Sequence, residues 1–82
     1  MKALVDRFEA EGEFTNHGAA RALKVHLSAV NRFEEQGFAE KVVKHMKGFR
    51  LLLNHQKKTD LISLKAYNAL KVDADQLIKK WE

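Results

Sequence analysis

The sequence predicts an all-α protein, a small up-down helical bundle of three long helices and a short leading one. Three observations carry this. There is no proline among 82 residues and there are only four glycines. Apolar residues recur at three- and four-residue steps along most of the chain, the spacing that lines one face of a helix. The breaks in that recurrence fall on glycines or on side chains that cap helices.

The first helix is expected from about Lys2 to Glu11, with Leu4, Val5 and Phe8 on one side. Gly12 ends it, since glycine accepts the left-handed conformation that closes a helix. Phe14 then precedes Thr15 and Asn16, either of which can accept a hydrogen bond from the free amides of the next helix. The second helix spans about Asn16 to Gln36. Ala19, Leu23, Leu27 and Val30 point inward, flanked by Ala22, His26 and Phe33. Gly37 stops it.

The third helix runs from about Phe38 to Lys57, with Phe38, Val42, Met46, Phe49, Leu52 and Leu53 inward. Gly48 sits inside it, where glycine costs about 1 kcal/mol relative to alanine; close approach of a neighbouring helix is the expected reason. Thr59-Asp60 breaks the pattern, and Leu61-Ile62 reads as an apolar turn tucked under the bundle. Ser63 is a plausible cap for the fourth helix, about Leu64 to Lys80, with Tyr67, Leu70, Ala74, Leu77, Ile78 and Trp81 at regular spacing. Short connections make consecutive helices antiparallel neighbours.

Residues 1–82 have room for one small domain with one core, near the lower end of what folds without staples. No cysteine is present, so neither a disulfide nor a thiolate ligand enters the argument. The composition, 45% hydrophobic and 32% charged, is that of a folded domain and too apolar for a disordered one. No apolar run approaches the ~18–20 residues of a membrane span, so membrane insertion is not expected. The opening, Met1-Lys2-Ala3-Leu4-Val5-Asp6, meets an acid too early for a signal peptide. Its abrupt start inside an amphipathic pattern is that of a module excised from a larger protein.

The net charge of +4 is not spread evenly. Between Gly37 and Lys58, six bases (Lys41, Lys44, Lys47, Arg50, Lys57 and Lys58) face a single acid, Glu40. At ~100° per residue, Lys44, Lys47, Arg50, Asn54 and Lys58 fall on the arc opposite the core. A solvated face accounts for most such helices. Leu51, however, lies in the middle of that arc, and an apolar centre inside a charged rim is the composition of a contact patch. Lys44, Lys47, Arg50 and Lys58 are therefore the candidate anion-binding residues, and Leu51 the candidate contact. Val25 and Val72 stand similarly among polar neighbours on the second and fourth helices, which fits docking against neighbouring domains.

Catalytic chemistry finds little to work with. Glu34 and Glu35 are adjacent and diverge by ~100°, and Asp73 and Asp75 diverge further, so neither pair flanks one pocket as glycosidic hydrolysis requires. Ser28 and Ser63 have no evident base. The four histidines lack the spacing of a helical metal site, and no cofactor or metal is expected; His26 and His45 are expected to approach one another at the bundle edge. Nucleic-acid binding is disfavoured, because the basic helix is dominated by lysine and its aromatics, Phe38 and Phe49, lie on the core arc.

The ordered series of aromatic and histidine positions resembles the helical module called FIMAH. The run Phe14-Thr15-Asn16, then Gly18-Ala19, Leu23 and His26-Leu27, matches its opening. The likeness continues through Arg32-Phe33-Glu34, His45-Met46-Lys47-Gly48-Phe49, Leu52-Leu53, His55-Gln56 and Ile62-Ser63. It closes on Ala66-Tyr67, Leu70, Asp73-Ala74 and Leu77-Ile78-Lys79-Lys80-Trp81, so that nearly the whole chain is covered. FIVAR modules are similar more loosely. The resemblance implies a non-catalytic module near the C-terminus of a large secreted or surface enzyme of Bacillus-type bacteria, many of which act on polysaccharides. It brings no ligand and no binding residues with it, since the matching positions read mostly as core and caps.

The expected function is thus an extracellular or cell-surface accessory module whose basic helix engages an acidic polysaccharide or the anionic cell envelope. The rival reading is a docking or spacer module in which Leu51, Val25 and Val72 meet neighbouring domains. Non-specific nucleic-acid binding ranks third.

Overall fold

A computed structural model describes all of residues 1–82. It contains four helices, α1 (Lys2–Ala10), α2 (His17–Glu35), α3 (Ala39–Lys58) and α4 (Leu64–Trp81), close to the expected boundaries. The helices form a ring. The middle helix, α3, packs against both α2 and α4, and α1 closes the circuit by touching α2 and α4 from the other side.

Three of the four helix ends repeat one device. After α1, the amide of Gly12 bonds to the carbonyl of Glu9 and that of Glu13 to Phe8. After α2, Gly37 bonds to Glu34 and Phe38 to Phe33; after α3, Asp60 bonds to Lys57 and Leu61 to Gln56. This is the Schellman arrangement, which needs a left-handed residue at its turn. Gly12 and Gly37 supply it at φ 77° and 72°, and at the third site Asp60 takes φ 59° with a side chain in place.

Of the two candidate caps before α2, Asn16 does the capping: its Oδ1 accepts from the Ala19 amide at 2.8 Å. The hydroxyl of Ser63 accepts from Ala66 at 3.1 Å and starts α4. No side chain caps α3. The residue before it, Phe38, is still engaged in closing α2, so it does not follow the α3 face and is 46% exposed rather than buried as the periodicity implied. Its ring and that of Phe33 share the ammonium of Lys41, at 5.1 and 5.4 Å.

The core joins Val5 and Phe8 of α1 to Leu23, Leu27 and Val30 of α2, Val42, Met46, Phe49 and Leu53 of α3, and Leu70, Ala74 and Ile78 of α4. Phe14 and Ile62, from the two loops at one end, complete it through an antiparallel bridge. Backbone bonds from Thr15 to Leu61 (3.0 Å) and from Ser63 to Glu13 (2.9 Å) clasp these loops together. The turn at Leu61-Ile62 thus tucks under the bundle as expected. One polar side chain is buried among these residues: Gln56 donates to the Ala19 carbonyl at 2.9 Å, tying α3 to the first turn of α2.

His26 and His45 do not pair. The His45 ring packs on Phe33 with centroids 4.9 Å apart, and the buried Nδ1 of His26 has no hydrogen-bond partner. His26 instead lies over Gly48, but at a distance that would leave an added Cβ in ordinary contact, 3.7 Å from the ring. The approach of α2 at Gly48 is therefore not one that only glycine admits.

At the α1–α2 contact, Lys24 bonds Asp6 (2.8 Å) and Glu9 (3.4 Å), and His17 Nδ1 lies 2.6 Å from Glu9 Oε2. The His17 hydrogen bond, with help from Lys24, holds the Glu9 carboxyl below its ordinary range. The bond to Asp6, supported by Glu9, raises Lys24.

Candidate functional site

The outer face of α3 carries Lys44, Lys47, Leu51, Asn54 and Lys58, all exposed, with Leu51 70% so. They lie there because the opposite arc is committed to the core. Lys44, Lys47 and Lys58 have neither a carboxylate nor an aromatic ring as partner. Arg50 differs. It turns toward α4, and its Nη1 donates to Asp75 Oδ1 at 2.9 Å, so its charge is balanced across the helix–helix seam.

That seam holds two grooves. One, of about 310 Å³, is lined by Lys47, Arg50 and Leu51, which the sequence singled out, together with Asn54 and Lys71. Asn54 is oriented by Tyr67, whose hydroxyl donates to its Oδ1 at 2.6 Å; the amide NH₂ is left as the half that can donate. Lys71 and Lys57 stand over the Tyr67 ring at 5.9 and 4.7 Å. The second groove, of about 550 Å³, lies between the start of α3 and the end of α4, and is lined by Ala39, Glu40, Val43, Lys44, Lys47, Trp81 and Glu82. Trp81 is half-buried there, its indole N–H donating to Glu34 Oε2 at 3.0 Å and its ring under Lys80 at 6.0 Å.

The structure thus gathers Lys47, Arg50 and Leu51 in one groove and puts Lys44 in the adjoining one. Lys58, on the last turn of α3, lines neither. Lys71 and Trp81 were missed as site residues: periodicity counted Trp81 with the core and gave Lys71 no role. The signal that finds Lys71 is register. Antiparallel helices joined by the turn at residues 59–63 place residues equidistant from it side by side, as the Asn54–Tyr67 bond does, and Lys71 falls beside Arg50.

Val25 and Val72 are 64% and 55% exposed, on the outer faces of α2 and α4, and neither lines a groove with Leu51. Among the residues weighed for catalysis, Glu34 is committed to Trp81, Asp75 to Arg50 and Ser63 to its cap. No three His, Asp or Glu side chains converge in a way that could hold a metal ion.

A family model for the FIMAH domain matches residues 1–79. The chain belongs to the FIMAH family. FIMAH domains are small accessory modules of larger proteins rather than catalytic domains. No curated protein and no solved structure matches this chain. Most of the positions that carried the resemblance hold the bundle together: Phe14 and Ile62 bridge the loops, Asn16 and Ser63 cap helices, and Leu23, Leu27, Met46, Phe49 and Leu70 fill the core. The α3–α4 grooves draw on Lys47 and Trp81 from that set. No helix of this FIMAH domain is long and apolar enough to cross a membrane.

Proposed function

We propose that this FIMAH domain is a non-catalytic module of a secreted or surface-attached multidomain bacterial enzyme, and that it engages an acidic polysaccharide or the anionic cell envelope through the basic face of α3. The observation that carries the reading is the set of uncommitted cations there. Lys44, Lys47 and Lys58 stand together on one helix without a partner, whereas Arg7, Lys24, Arg50 and Lys65 are each paired with a carboxylate and the other unpartnered bases, Lys2, Arg21, Arg32 and Lys79, are spread over the other three helices. Exposed pairs contribute roughly 0.2–1 kcal/mol each, so the association is weak, additive over several contacts and sensitive to salt.

The docking or spacer reading rests on Leu51, Val25 and Val72. Their separation onto three helices without a shared groove counts against one common patch, although Leu51 alone could still anchor a neighbour.

Retention of the domain on polygalacturonate or a sulfated polysaccharide at low ionic strength tests the proposal. Elution should follow rising salt, a neutral polysaccharide should not retain the protein, and Lys44→Glu with Lys47→Glu should abolish retention while leaving the melting temperature within about 2 °C, as surface changes of roughly ±0.5 kcal/mol do. Retention indifferent to both reversals, or no retention on any acidic polymer, would favour docking.

A further inference from the structure

Two grooves that share a wall amount to more than a charged face. Lys47 lines both, so they adjoin along the α3–α4 seam, the two halves of a furrow with Lys47 between them. From Val43 to Asn54 its α3 wall extends roughly 16 Å at ~1.5 Å per residue. Its chemistry changes along that length. At one end stand the half-buried ring of Trp81, the side chain of Val43, the carboxylates of Glu40 and Glu82, and the ammonium of Lys44. Apolar ring surface beside both acceptors and donors suits a neutral polyhydroxylated ring, whose C–H face packs and whose hydroxyls bond to either kind of partner. Farther along stand Lys47, Lys71 and the donating amide of Asn54, against the apolar wall of Leu51. Donors of this kind suit an anion.

We infer that the furrow is a binding track for an acidic oligosaccharide, with a sugar ring against Trp81 and the carboxylate of a following sugar between Lys47 and Lys71. The inference rests on the reading of the α3 face as an acidic-polysaccharide surface, and goes further by naming the subsites. A uniform polyanion such as polyphosphate or polyglutamate fits less well, because it sets charge against Glu40 and Glu82 at the Trp81 end. Asp75 has a defined part as well. It holds Arg50 at the edge of the anion groove, so it competes with the ligand's carboxylate for that guanidinium.

Trp81 is the sole tryptophan, so the emission comes from one end of the track. Titration of the intact 82-residue chain with a hyaluronan oligosaccharide, in which a neutral sugar and a uronic acid alternate, should shift that emission saturably, and a neutral galacto-oligosaccharide should do so much less. Lys71→Ala should weaken the response, whereas Lys79→Ala, an exposed lysine outside both grooves, should not. Asp75→Asn should tighten binding by roughly two- to fivefold, the scale of one exposed ion pair, with an unchanged circular-dichroism spectrum. Retention on polygalacturonate that Lys44→Glu and Lys47→Glu abolish, but with no change at Trp81, would overturn the track and leave the basic face standing. No retention at all would remove both. An equal response to polyglutamate would overturn the oligosaccharide assignment.

Discussion

At the scale of single residues, Asp60 states a cost that the rest of the chain avoids. The turns after α1 and α2 use glycine for the left-handed position, and the turn after α3 forces a side chain into it. Asp60→Gly should therefore stabilise the domain by about 0.5–1 kcal/mol, less than the 1–2 kcal/mol typical of a left-handed L-residue because aspartate tolerates this region. A differential melt should show a rise of a few degrees; a fall would mean that the Asp60 side chain contributes something its geometry does not reveal. Phe38 teaches the converse lesson. Read by periodicity it belongs to the α3 core face, yet it precedes the first helical residue, and a helical wheel has no authority there. Gln56 and the two histidines were equally opaque. Which hydrogen bond a buried amide finds, or whether two rings meet, depends on the relative rotation of two helices, and no single-helix pattern encodes that.

At the scale of elements, most of what the sequence implied is present in the structure, because each helix carries its own start and stop. Gly12, Gly37 and Ser63 act where expected, and the choice between Thr15 and Asn16 falls to Asn16. Asn16→Ala should cost about 1 kcal/mol by leaving the Ala19 amide without its acceptor, measurable as a lower urea midpoint at unchanged slope. Thr15→Ala should cost less, since its hydroxyl makes only a 3.5 Å contact to the Leu61 carbonyl. The candidate site was half legible for the same reason. Residues belonging to α3 alone were found from its own arc. Those supplied by α4, Lys71 and Trp81, required knowing how two helices register against each other.

At the scale of the whole molecule, Phe49 is the largest fully buried side chain, and it lies on α3, the helix that touches both α2 and α4. Phe49→Ala should destabilise by about 3–5 kcal/mol, a large share of the total stability of a domain this size. Equilibrium denaturation should find a much reduced transition or none; a loss under about 1 kcal/mol would mean that the α3 face is wrongly assigned. The outer face is decoupled from this demand. Lysines at positions 44, 47 and 58 are exposed and stand outside the core cluster, so binding and stability can change independently there.

The clasp between the loops has a kinetic consequence. Neighbouring α2, α3 and α4 meet through short connections, so their pairing is nearly local and closes quickly. The leading helix is different: at nine residues it is shorter than the ~12–15 that hold a helix in isolation, and the loop that follows it is pinned to Leu61 and Ser63, far along the chain. It should form last and open first, as a latch on a three-helix unit that is already assembled. In native-state hydrogen exchange, the amides of Phe8 to Ala10 should then exchange through a partial opening, at a lower free energy and with a weaker denaturant dependence than those around Phe49, which wait for global unfolding. Identical exchange energies in α1 and α3 would instead make the whole chain one cooperative unit.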